Sequence, residues 1–66
     1  MFTDNQLTEI HKLCMLFNLT QHIQTPDSIG CTIEEINIIN TIGKQLPKGI
    51  KCNINIEDKL IVFYIY

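Results

Sequence analysis

Leu60-Ile61-Val62-Phe63-Tyr64-Ile65-Tyr66 is an unbroken apolar and aromatic run at the end of a chain of 66 residues. A strand with one wet face alternates apolar and polar side chains. This run does not, so both of its faces call for cover. The segment before it behaves differently. Ile50-Lys51-Cys52-Asn53-Ile54-Asn55-Ile56 alternates strictly, with Lys51, Asn53 and Asn55 on the polar face, as in a half-exposed strand. Glu57-Asp58-Lys59 is a short polar connection, so the two segments predict a β-hairpin. No Asn-Gly or Gly-Gly pair fixes the turn type, and two registers stay open. In one, Ile61, Phe63 and Ile65 join the Ile54 face while Leu60, Val62, Tyr64 and Tyr66 face away. In the other the two sets exchange.

Either register leaves one apolar set unmatched. Burying a large apolar side chain contributes about 1.5–3 kcal/mol, so three or four left in water forgo about 5–10 kcal/mol. That is comparable to the whole stability of a small domain. The sequence therefore predicts that a partner covers the last strand, either a second copy or another protein.

Two helix starts carry the same device. Thr3 is a good N-cap with Gln6 at capping-box spacing, and Phe2 and Leu7 flank it as a hydrophobic staple. Thr32 and Glu35 repeat the box, with Cys31 and Ile36 as the staple. The first helix is expected from Asp4 to Asn18, with Leu7, Ile10, Leu13, Cys14 and Phe17 on one face. Met15, Leu16 and Leu19 lie off that face, a second sign of surplus apolar surface. Thr20 to Gln24 reads as an extra turn, and Thr25-Pro26-Asp27-Ser28 as a tight turn. The second helix is expected from Ile33 to Leu46, stopped by Pro47. Its Gly43 marks either close backbone contact or the start of unwinding.

The expected fold is thus a single α+β domain over residues 1–66, two helices packed on a C-terminal antiparallel hairpin in the order α-α-β-β. A chain this short lies near the lower limit for folding alone, which again favours a homo-oligomer or a foreign partner.

Composition narrows the function classes. The net charge is −2, with five Lys, no Arg and no Ala, while Ile occurs thirteen times and Asn six. Such usage is what an AT-rich genome produces, as in many phages, viruses and low-GC bacteria. Residues 1–35 hold five acids and one base, residues 36–66 four bases and two acids, an asymmetry that fits a solvated surface. Cys14, Cys31 and Cys52 cannot all pair within one chain, and no secretory signal precedes them, so reduced thiols in the cytoplasm are expected. No stretch reaches the apolar length of a membrane-spanning helix.

Little catalytic chemistry is legible. His11-x-x-Cys14 places two zinc-ligand types one helical turn apart, but His22 and Cys31 follow at no zinc-site spacing, and Cys14 lies on the apolar stripe. No metal or cofactor is expected. No thiol is singled out by a base, and the isolated Gly30, Gly43 and Gly49 form no phosphate loop. No catalytic residue is assigned, and the chain is not expected to be an enzyme.

The expected function is a protein-binding module, a homo-oligomer or an inhibitor or adaptor docking on a larger protein. It would act by sheet extension or apolar-face docking of the last strand. The expected contact residues are Leu60, Val62, Tyr64 and Tyr66, with Met15 and Leu16 on the first helix. The alternative is a winged-helix-like nucleic-acid-binding regulator, with residues 33–46 as recognition helix and 50–66 as wing. Acidic Glu34 and Glu35 at the end meant to meet bases, the lack of Arg and the net negative charge argue against it.

Overall fold

The computed structural model describes the backbone of residues 1–66 and every side chain except that of Ile36. Helix α1 spans Asp4–Leu16. Strands β1 (Thr20–Gln24) and β2 (Ser28–Thr32) follow. A 3₁₀ turn at Ile36–Ile38 leads into the short helix α2 (Ile39–Lys44). Strands β3 (Ile50–Asn55) and β4 (Leu60–Ile65) complete the chain.

This corrects the expected α-α-β-β arrangement. The chain is built α-β-β-α-β-β, and its four strands form one antiparallel sheet in the order β1-β2-β4-β3. Segment 50–65 does pair as a hairpin, but β4 also pairs with β2 on its other side. The last strand is therefore an interior strand, and cannot itself extend the sheet into a partner. Thr20–Gln24, expected as an extra turn, is strand β1, and Ser28–Thr32, whose last two residues were expected to start the second helix, is strand β2. Strands β2 and β3 run parallel on either side of β4, joined by the crossover that carries α2.

Helix α1 forms as its capping box predicts. Gln6 N–H donates to Thr3 Oγ1 at 3.1 Å, and Thr3 N–H donates to Gln6 Oε1 at 2.9 Å. Its C-terminus closes with Leu19 N–H donating to Cys14 O at 2.9 Å across Asn18, which takes the left-handed φ of 58°. That is the six-to-one bond of a Schellman ending, with Asn where Gly is commonest.

The second box does not form. Thr32 ends β2, paired to Leu60, and the following Ile33 N–H donates to Lys59 O at 2.7 Å. Cys31 and Ile33 are both buried in the core, which holds the chain extended where a helix start was expected. The expected Cys31–Ile36 staple lies outside the described side chains. Helix α2 then covers only six residues. Ile33, Ile36, Ile38, Ile39 and Ile42 crowd this stretch, and β-branched side chains lose rotamer freedom in a helix.

The register resolves one way. Ile50 faces Ile65, Cys52 faces Phe63 and Ile54 faces Ile61 across β3 and β4. On the inner face Ile29, Cys31, Ile50, Ile61 and Phe63 join Ile10 and Leu13 of α1 and Ile42 of α2 in one core. Both helices thus cover the same face of the sheet. The other face meets solvent.

Candidate functional site

The outer face is built around β4. Leu60, Val62 and Tyr64 point outward in a row, and Tyr66 continues it beyond the strand end. On one flank their partners are Thr32, Gly30 and Ser28 of β2. On the other they are Asn55, Asn53 and Lys51 of β3. Gly30 has no side chain, so Ile23 of β1, paired to it, lies beside the Val62 row. A Cβ added at Gly30 would stand 3.9 Å from that of Ile23, an ordinary contact distance.

The rim has its own polar contacts. Lys51 Nζ sits 4.4 Å from the centre of the Tyr66 ring, so the one cation of this face rests on an aromatic. Tyr66 N–H donates to Gly49 O at 3.2 Å, which fixes the end of the row. His22 and Thr32 share a side-chain hydrogen bond between Nε2 and Oγ1. Where the hairpin turns, Asn55 Nδ2 donates to Asp58 Oδ2 and Asp58 N–H donates back to Asn55 Oδ1, at 3.1 and 3.2 Å. Ile56, Leu60 and Val62 line an open groove of 540 Å³ there, with Asn53 and Glu57 at its sides.

The electrostatics of the sheet are unusual for a surface that meets water. Among the described strand residues Lys51 alone bears a formal charge. Every acid and the other lysines sit in helices, turns and loops. The patch thus has an apolar row along its middle, aromatics toward one end and polar groups on both flanks, with one charge, an arrangement like that of an interface core and rim.

The expected contact residues divide in two. Leu60, Val62, Tyr64 and Tyr66 share the outer face. Met15 and Leu16 are exposed, but on α1, across the molecule from it. Leu16 lines a smaller groove with Phe17, Asn18, Ile38, Glu34 and Glu35. Sequence reasoning missed Ile23 and Ile56, both 63% exposed. The signal for Ile23 is faint, a single apolar residue inside Gln-His-Ile-Gln.

The need for cover is smaller than the sequence suggests. The chain exposes 4490 Å², against about 4300 Å² for a compact monomer of its mass. No buried side-chain nitrogen or oxygen among the described residues lacks a hydrogen-bond partner. The core packing of the two helices and the flanking strands buries Ile61 and Phe63 of the last strand, while of its other set Val62 and Tyr64 are partly buried and Leu60 and Tyr66 exposed.

The remaining candidates place as follows. Cys14 meets Cys31 and not His11, and no three His, Cys, Asp or Glu residues converge among those described. The segment expected as a recognition helix, residues 33–46, holds the 3₁₀ turn at Ile36–Ile38 followed directly by the six-residue α2. No helix is long and apolar enough to cross a membrane. No protein-family model matches the sequence, and neither a curated protein nor a solved structure resembles the chain.

Proposed function

We propose that this chain is a non-enzymatic protein-binding module that docks, through the outer face of its sheet, on a larger protein as an inhibitor or adaptor. The observation that carries this reading is the row Leu60, Val62, Tyr64 and Tyr66 on a sheet whose strands hold one charge. A solvated sheet face is ordinarily held in solution by alternating polar and charged residues. Here they are replaced by aliphatic and aromatic groups, with Tyr hydroxyls suited to a wet rim.

Area argues for a larger protein and against a second copy. Four strands of five or six residues make a face of about 20 by 19 Å, or about 400 Å². A standard interface takes about 800 Å² from each partner. Two flat copies meeting face to face fall short, and the exposed surface is already that of a compact monomer. A concave partner reaching past the face to Ile56 and Ile23 can make up the difference. Its complement should be apolar opposite the row, since the strands of the face offer no carboxylate and only Lys51, with Glu57 standing at the rim beside Ile56. Three free thiols suit work in a reducing compartment such as the cytoplasm.

The test begins with sedimentation over a wide concentration range. Wild type is expected to stay monomeric. A protein retained by wild type is then purified and titrated against wild type, Val62→Glu, Leu60→Glu and Met15→Glu, with each variant checked for an unchanged fold by circular dichroism. The first two substitutions are expected to weaken binding at least tenfold and the third to leave it unchanged. A dimer that Val62→Glu dissociates would overturn the reading in favour of a second copy. Equal binding by all variants would overturn the face itself.

A further inference from the structure

Two thiols from separate elements meet inside the molecule. Cys14 lies in the last turn of α1 and Cys31 in β2, and their sulfur atoms stand 3.7 Å apart. Neither is bonded to the other or to Cys52. Cys31 is fully buried, at 0% exposure, whereas Cys14 is partly open to solvent. Of the two residues, Cys14 is therefore the one nearer to solvent, and the Cys31 sulfur is its neighbour on the buried side. The two residues are 17 positions apart in sequence, so a bond between them would tie the helix to the sheet across the turn at Asn18 and all of β1.

We propose that Cys14 and Cys31 form a peroxide-sensitive modification site at which oxidation joins α1 to β2 through an intramolecular disulfide. The Cys14 thiolate attacks one oxygen of a hydroperoxide. The S–O bond forms, the O–O bond breaks, and hydroxide (or alkoxide) leaves. The Cys31 sulfur then attacks the sulfenic sulfur of Cys14. The S–S bond forms, the S–O bond breaks, and the departing hydroxide takes the Cys31 proton to leave as water. With hydrogen peroxide, two thiols lose two electrons and one peroxide becomes two waters.

The local geometry supports this. The sulfurs need to close by only about 1.7 Å to reach bonding distance. The Cys31 S–H is placed to donate to Cys14, and that hydrogen bond holds the Cys14 thiol below its ordinary value. The dipole at this end of α1 opposes a thiolate, so Cys31 both favours the attacking form and supplies the resolving thiol. Cys52 serves as an internal control. It shares the inner face, but β4 separates β3 from β2, and Cys31 pairs with Ile61 while Cys52 pairs with Phe63, which places the two Cα atoms two strand spacings and two residues apart, or about 12 Å. That is beyond the reach of a disulfide.

The experiment treats the reduced, purified chain with hydrogen peroxide, labels remaining thiols with a maleimide under denaturing conditions, and reads the intact mass. The expected product has lost two hydrogens and takes up one maleimide, located at Cys52 by peptide mapping. The untreated chain takes up three. The oxidised monomer is expected to melt about 10 °C higher than the reduced one, through closure of the loop between the two cysteines. Cys14→Ser should form no such product at the same peroxide dose. Uptake of three maleimides after treatment would overturn the proposal. So would a sulfinic acid at Cys14 with Cys31 still free, or a disulfide that links Cys52 or a second chain.

Discussion

At Gly43 an added methyl group would touch nothing, since no neighbouring atom lies within 4 Å of the position its Cβ would take. This decides between the two sequence readings of that residue: it is not a point of close backbone contact. It sits in α2 without a positive φ, and Gly inside a helix costs about 1 kcal/mol against Ala. Gly43→Ala is therefore expected to raise stability by up to about 1 kcal/mol, read from the urea midpoint. Gly49 is the opposite case. Its φ of +86° belongs to the region that side chains avoid, and a Cβ there would come within 3.1 Å of Gln6 Nε2. That amide donates to Lys48 O and ties α1 to the turn before β3. Gly49→Ala should cost about 1–2 kcal/mol in the same measurement. A sequence pattern places both glycines near turns but cannot tell them apart, because the difference lies in φ and in a neighbour 43 positions away.

Among the elements, α1 was the most legible, and for a local reason. Thr3 and Gln6 satisfy each other's backbone groups within four residues, so their effect does not depend on what the rest of the chain does. Thr3→Ala removes one half of that exchange and should lower stability by about 1 kcal/mol, with the loss seen in the thermal melt and absent in Thr3→Ser. The same motif at Thr32 and Glu35 misled because tertiary pairing outweighed it. Thr32 pairs with Leu60, and Cys31 and Ile33 on either side are buried in the core. Strand β1 left almost no signature. It is an edge strand with all five residues exposed, so no apolar alternation marks it, and a register irregularity between Gln21 and Ile23 interrupts what pattern there is. The hairpin of β3 and β4 was legible from alternation, whereas its place in the sheet was not, since that depended on finding β2. The outer row of the candidate site followed from the parity of the final strand. Met15 and Leu16 did not join it, because periodicity within a helix says nothing about which face of a sheet that helix will cover.

For the molecule as a whole, stability at high pH should follow its thiols. The Cys31 thiol is pushed up from its ordinary 9.0, first by its hydrogen bond with Cys14 and then by burial. Burial alone pushes the Cys52 thiol up. The Cys14 thiol is lowered by its bond with Cys31. Above pH 9.0 the unfolded chain has released protons that the folded chain keeps on Cys31 and Cys52, so their contribution is present below that pH and is lost above it. The lowered thiol acts in the reverse sense: its contribution is present above pH 9.0 and fades as pH falls through its folded value. The denaturation midpoint of the reduced protein is expected to fall between pH 9 and about pH 10.5, and to fall less in Cys52→Ser. An unchanged midpoint over that interval would show that the buried thiols do not ionise differently on unfolding.

The interior position of β4 has a consequence for biosynthesis. It is the last of the described elements to be translated, yet it separates β2 from β3 and contributes Ile61 and Phe63 to the core. Before residue 60 is added, a nascent chain can hold a helix and one polar hairpin, but it has nothing to join β3 to them. Sheet assembly must wait until this strand clears the ribosome. The sheet is complete only once this strand has paired with β2 on one side and β3 on the other.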